Sequence, residues 1–217
     1  MSPVAPERTV VHLMRHGEVH NPEGVLYGRL DGYHLSDLGR RMAQEVADHL
    51  ADHDITVVVA SSLLRAQETA APIAASHGIP ITTDDRVIEA GNSFEGTKVG
   101  TMKALDFAHP RYWKRITNPL KPSWGEPYAE IAARMLAAVT DARVAAAGHE
   151  AVIVSHQLPI WTARNALAGA RLWHDPRRRE CRLASLTTLT YVGDQLAAIE
   201  YSEPAAALLT ESKGGTG

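Results

Sequence analysis

An α/β fold, with helices covering a sheet, is predicted by three observations. Near-continuous apolar runs at 9–14, 55–60 and 151–154 read as strands buried on both faces. Segments with apolar residues three or four apart follow the first two runs, as amphipathic helices require. The resulting order of strand, helix, strand, helix favours a sheet layered with helices. A chain of 217 residues supports one substantial core and is short for two, so 1–217 is expected to form a single domain.

The elements follow in order. Thr9-Val10-Val11-His12-Leu13-Met14 forms the first strand, and a glycine- and polar-rich loop runs from it to about Leu35. Ser36 is a good N-cap for a helix along which Leu38, Met42, Val46 and Leu50 share a face. Ile55 to Ala60 is the second strand. Ser61 or Ser62 then caps a helix holding Ala66, Thr69, Ala70 and Ile73, and Gly78 ends it. Ile79 to Thr82 adds a short strand.

The segment 84–124 is rich in glycine and proline, with a short helix expected around 99–107, and reads as a lid that sets specificity. Gly125 or Glu126 precedes the strongest helix, with Pro127 in its first turn and Tyr128, Ile131, Met135, Val139 and Ala142 on one face. Gly148 closes it. Ala151 to Val154 is the third core strand, delivering Ser155 and His156 at its carboxyl end. Pro159 to Leu167 is a further helix. Ser185–Val192 and Gln195–Tyr201 form a hairpin through Gly193-Asp194. Residues 210–217 are expected to be a flexible tail.

Composition bounds the function. Apolar content of 45% and charged content of 22% are those of a soluble globular protein. A net charge of -3, from 22 basic and 25 acidic residues, gives no reason to expect nucleic acid as partner. Cys181 stands alone, which excludes an intrachain disulfide and a thiolate cluster, and its thiol reads as inert. The first eight residues lack the apolar core of a signal peptide, and no run reaches membrane-spanning length. A cytoplasmic location without membrane partners is expected; the oligomeric state stays open.

Chemistry gathers at strand ends. In parallel sheets ligands bind beyond the carboxyl ends of strands, where Arg15-His16, Ser61 to Arg65 and Ser155-His156 all fall. A neutral His16 can attack phosphorus in line, while Arg15 and Arg65 hold the non-bridging oxygens. His156, if protonated, suits the same oxygens. The ester alkoxide needs a proton, for which Glu89 is the candidate, with Glu95 or Glu18 as substitutes. A glutamate serves only where its surroundings retain its proton. The expected partner is a small-molecule phosphate ester.

These residues resemble the histidine phosphatase superfamily, the phosphoglycerate mutase-like fold. Arg15-His16-Gly17-Glu18 is similar to its defining motif. Asn21, Gly28, Leu35 to Gly39, Ser61 to Ala70, Glu89 with Phe94-Glu95-Gly96, and Val154-Ser155-His156 resemble its later blocks, over roughly residues 8–200. The resemblance implies a three-layer sandwich with a mixed, mostly parallel central sheet flanked by helices, and neither metal nor other cofactor. It implies phosphorylation of His16, phosphate binding by Arg15, Arg65, His156 and Asn21, and proton donation by Glu89. Val19 stands where serine or threonine is common, Asn21 arrives one residue early, and Gln157 replaces the usual glycine. The 67 residues from Glu89 to His156 are fewer than in cofactor-dependent mutases, which favours water as acceptor and a phosphatase. A mutase-type phosphotransferase and a catalytically weak phosphate-binding protein are the alternatives.

Other patterns have plainer readings. His12, His16 and His20 lie four apart, but that spacing shares a face only on a helix, and His12 belongs to a strand. Tyr112, Trp113 and Trp124 either line a substrate pocket or pack the lid. Lys98, Lys103, Arg111, Lys114, Arg115 and Lys121 read mainly as a solvated basic loop. Asn21 equally suits a turn, and Gly17 and Gly28 need be no more than turn residues.

Overall fold

A computed structural model describes residues 7–92, 95–98 and 125–211. The chain runs β1 (Arg8–Arg15), α1 (Asp37–His49), β2 (Ile55–Ala60), α2 (Leu64–His77), β3 (Ile81–Thr83), α3 (Tyr128–Ala145), β4 (Glu150–Ser155), α4 (Gln157–Leu167), β5 (Leu186–Val192), β6 (Gln195–Ser202) and α5 (Ala206–Leu209). The strands form one six-stranded sheet in the order β3-β2-β4-β1-β5-β6. Neighbours from β3 to β1 are parallel, and β5 and β6 add antiparallel to the β1 edge. The fold is therefore α/β with a mixed, mostly parallel sheet, as expected.

Two apolar cores lie on opposite faces of that sheet. Met14, Val58, Val152 and Val154 pack with Met42 and Val46 of α1 and Ala66 and Ile73 of α2. Val11, Leu13 and Ile153 pack with Ile131 and Met135 of α3 and Ile160 of α4. Successive strand residues thus feed alternate layers, which is why the strands read as unbroken apolar runs.

Local signals explain most boundaries. The Ser36 hydroxyl accepts from Gly39 N at 3.0 Å and caps α1. Gly78 closes α2 in the left-handed region at φ +65°, where glycine carries no Cβ penalty. The capping of α2 is corrected: Leu63 is the N-cap and makes no side-chain bond. Ser61 is drawn instead into the site described below. The short third strand starts at Ile81, after a turn, and α3 ends at Ala145, three residues before Gly148. The short helix expected around 99–107, Tyr112, Trp113, Trp124, the basic residues from Lys103 to Lys121 and all but two residues of the expected tail lie outside the described residues. Among the described residues, no helix is long and apolar enough to cross a membrane.

Candidate active site

Three strand ends converge as the topology requires. Arg15 ends β1 and pairs in register with Ser155 at the end of β4, and His16 N donates to Ser155 O at 3.1 Å. Arg65 sits in the first turn of α2, just past β2, and His156 is the N-cap of α4. The His16 and His156 rings lie 5.1 Å apart. Arg15, His16, Arg65 and His156 are all buried, Arg65 at only 1% exposure.

Hydrogen bonds orient each group. His16 Nδ1 lies 2.8 Å from Gly17 O, so that nitrogen carries the proton and Nε2 keeps the lone pair. Burial first, then Arg65 and Arg15, holds the His16 pKa well below 6.5, and the ring stays neutral at pH 7. Arg15 Nη1 donates to Cys181 O at 2.8 Å, and Arg65 Nη2 donates to Gly28 O at 2.6 Å. The Nε atoms of both arginines are buried without a hydrogen-bond partner among the described residues. Buried donors of this kind are costly unless an anion answers them.

His156 has a different set of contacts. Arg65 Nη2 approaches its Nδ1 at 3.4 Å, and its Nε2 lies 2.7 Å from Ser61 Oγ. An arginine can only donate, so Nδ1 accepts and Nε2–H donates to the serine. Burial, then His16 and the arginines, keeps its pKa well below 6.5. In the free site His156 is thus a neutral ring that braces Arg65, rather than a cation.

Glu89 stands on a loop that several side chains tie down. Ser155 Oγ donates to Val87 O at 2.6 Å, Arg134 Nη1 to Ile88 O at 2.7 Å, and Arg29 Nε to Glu89 O at 2.7 Å. Glu126 bridges Arg29 and Arg134. The Glu89 side chain keeps some exposure on a cavity of about 230 Å³, yet protein crowds its carboxyl. Burial therefore raises its pKa, against the Ala90 N–H, Arg65, Arg15 and Arg179. The cavity is also lined by Tyr27, Gly28, Tyr128, Gln157 and Arg179. It flanks the histidine pair through Gly28, which accepts from Arg65, and Gln157, next to His156.

Other residues resolve differently. Both ends of the Asn21 carboxamide are used by Val25, whose O accepts at 2.8 Å and whose N donates at 3.0 Å, so Asn21 is tied into its own loop. Glu18 accepts from Ser36 Oγ at the α1 cap, and Glu95 accepts from Asn92 N. Gly17 answers to packing: a Cβ there would meet Gly39 O at 2.5 Å. Sequence reasoning passed over Ser61 as a partner of His156, and Tyr27, whose ring lies 4.7 Å from the Arg65 guanidinium. It also missed Arg29, Arg134 and Glu126. The serine pair closing β2 was a usable signal for the first; the rest had none.

Residues 11–203 match the model of the histidine phosphatase superfamily (branch 1). The chain is 60% identical over 201 residues to the uncharacterized protein Rv0525 of Mycobacterium tuberculosis, covering 93% of this chain and 99% of the relative. It is 31% identical over 185 residues to the "Probable phosphoglycerate mutase GpmB" of Yersinia enterocolitica, covering 83% and 84%. Among solved structures, the mycobacterial glucosyl-3-phosphoglycerate phosphatase Rv2419c superposes with TM-score 0.70 at 25% identity, over 90% of this chain and 96% of that one. The same phosphatase in complex with inorganic phosphate superposes with TM-score 0.69.

Proposed function

Because this chain belongs to the histidine phosphatase superfamily, we propose that it is a phosphomonoesterase that hydrolyses a small phosphorylated metabolite through a phosphohistidine at His16. One observation carries the reading: a neutral imidazole with its tautomer set by Gly17 O lies buried beside two arginines whose Nε donors have no partner among the described residues.

His16 Nε2 attacks phosphorus as the ester P–O bond breaks, and Glu89 delivers its proton to the departing oxygen. Water then attacks phosphorus, the P–N bond breaks and returns its electron pair to His16, and the Glu89 carboxylate takes a proton from that water. Arg15 and Arg65 hold the non-bridging oxygens throughout. His156 braces Arg65 in the free site; once a dianionic ester lowers the cost of its charge, Nδ1 takes up a proton, gives up its contact with Arg65 and donates to the same oxygens. Asn21 is given no role in this scheme: its oxygen and one of its two N–H donors hold its own loop through Val25. The lid expected over 84–124 falls largely outside the described residues; Gly91 and Asn92 within that span, and Gly125 and Glu126 just after it, line the cavity and would meet the substrate in this reading.

The test is release of inorganic phosphate from an aryl phosphate with no added metal. His16→Ala should abolish it, and undiminished turnover in that variant would sink the assignment of the nucleophile. Similarity to the Yersinia protein named as a mutase supports a second reading, isomerisation of a phosphorylated acid. Product analysis on 3-phosphoglycerate with a bisphosphate primer separates the two: the phosphatase yields free phosphate, the mutase a shifted ester.

A further inference from the structure

The phosphotransfer scheme leaves unused a second cluster of titratable side chains. His12 projects from β1 and is only 3% exposed. Its Nε2 lies 2.8 Å from Glu150 Oε2, and His53 Nδ1 lies 2.8 Å from the same oxygen. The three ligand atoms sit within 4.8 Å of one another. They come from the middle of β1, the turn before β2 and the first residue of β4, towards the end of the parallel sheet remote from the catalytic histidines. Four strand positions separate His12 from His16, a span of about 13 Å.

We propose that His12 Nε2, His53 Nδ1 and Glu150 form a binding site for a zinc-class divalent cation, distinct from the phosphotransfer centre. Two imidazoles with one carboxylate is a donor set for zinc and its transition-metal neighbours, whereas magnesium and calcium take oxygen. Ligand atoms around a tetrahedral zinc stand about 3.3 Å apart at the usual bond lengths. The two nitrogen–oxygen gaps therefore need to open by only about half an ångström.

An outer-shell partner is already in place. His12 Nδ1 lies 3.0 Å from Oγ1 of Thr188, its direct cross-strand neighbour on β5. A histidine ligand characteristically donates its second ring N–H in this way, which turns the other nitrogen's lone pair to the metal. The site is also accessible: the His53 side chain is 36% exposed and that of Glu150 is 15%. Water completes the coordination from that open side. Bound there, the ion ties β1 and β4 to the α1–β2 turn, and the proposed phosphotransfer scheme routes no step through it.

Calorimetric titration of the chelator-treated full chain with Zn²⁺ tests the proposal, with thermal unfolding as a second readout. One equivalent should bind and raise the unfolding midpoint. His53→Ala changes a half-exposed residue and should abolish both effects, and Thr188→Val should weaken binding roughly 10–100-fold. His16→Ala should bind as the wild type does. Absence of saturable binding would mark the cluster as a hydrogen-bonded triad only. Binding retained in His53→Ala, or lost in His16→Ala, would put the ion elsewhere and overturn the assignment.

Discussion

Ser61 Oγ lies 2.7 Å from His156 Nε2, joining residues 95 positions apart, and this bond sets which nitrogen of His156 faces Arg65. Ser61→Ala leaves a buried imidazole donor unanswered, at a cost of about 1–3 kcal/mol in stability. It also loosens Arg65, with a loss of up to about 100-fold in kcat. Urea unfolding and steady-state kinetics on one preparation measure both; wild-type values in each would remove Ser61 from the site.

The proposed reaction needs His16 neutral and Glu89 protonated. The lowered His16 pKa puts the acid limb of kcat/KM below 6.5, and the raised Glu89 pKa puts the alkaline limb above the ordinary glutamate range. Glu89→Gln should cut kcat by roughly 10²–10⁴-fold and erase the alkaline limb. Its loss should be smaller on an activated aryl ester than on an alkyl ester, whose leaving group needs the proton more. Equal losses on both would argue against proton donation by Glu89.

Stability should follow the buried histidines. The pKa values of His16 and His156 are lowered in the folded state, so as pH falls below about 6.5 the unfolded chain takes up protons first. Stability is then lost at up to about 1.4 kcal/mol per pH unit for each ring. Urea midpoints at pH 7.5 and 5.5 read this directly, and His156→Gln should flatten the slope.

Gly17→Ala sets a methyl 2.5 Å from the Gly39 carbonyl oxygen, a backbone atom at the start of α1 that cannot swing aside. A destabilisation of about 1–3 kcal/mol is expected, the usual cost of overpacking. Because the shift falls next to His16, kcat should drop with it. A variant as stable and as active as the wild type would contradict the close approach.

Cys181 is 1% exposed, and burial raises its thiol pKa to about 11. Iodoacetamide should leave the native protein unmodified at pH 8 and alkylate it fully in urea, as intact mass would record.

Much of this architecture was legible in the chain. The runs at 9–14, 55–60 and 151–154 became β1, β2 and β4, because a strand covered on both faces needs apolar residues at every position. Ser36 and Gly78 marked helix ends through chemistry confined to a few bonds. Arg15, Arg65 and His156 were legible as a group because each follows an apolar run, and parallel strands bring their ends to one edge. The cap of α2 was misread for a related reason. A serine after a strand can bond to its own helix or to a neighbouring strand's histidine, and local sequence does not distinguish the two.

The order of elements, their buried faces and the residues at the strand ends were thus determined by the amino-acid sequence alone, since periodicity and capping act over a few residues. Only the tertiary structure decided that Ser61 answers His156, that Tyr27 covers Arg65, that Asn21 turns back on Val25, and that His12 meets His53 and Glu150 instead of His16 and His20. Those pairings depend on strand register and on the depth at which each loop packs, and both arise from the whole chain folding at once.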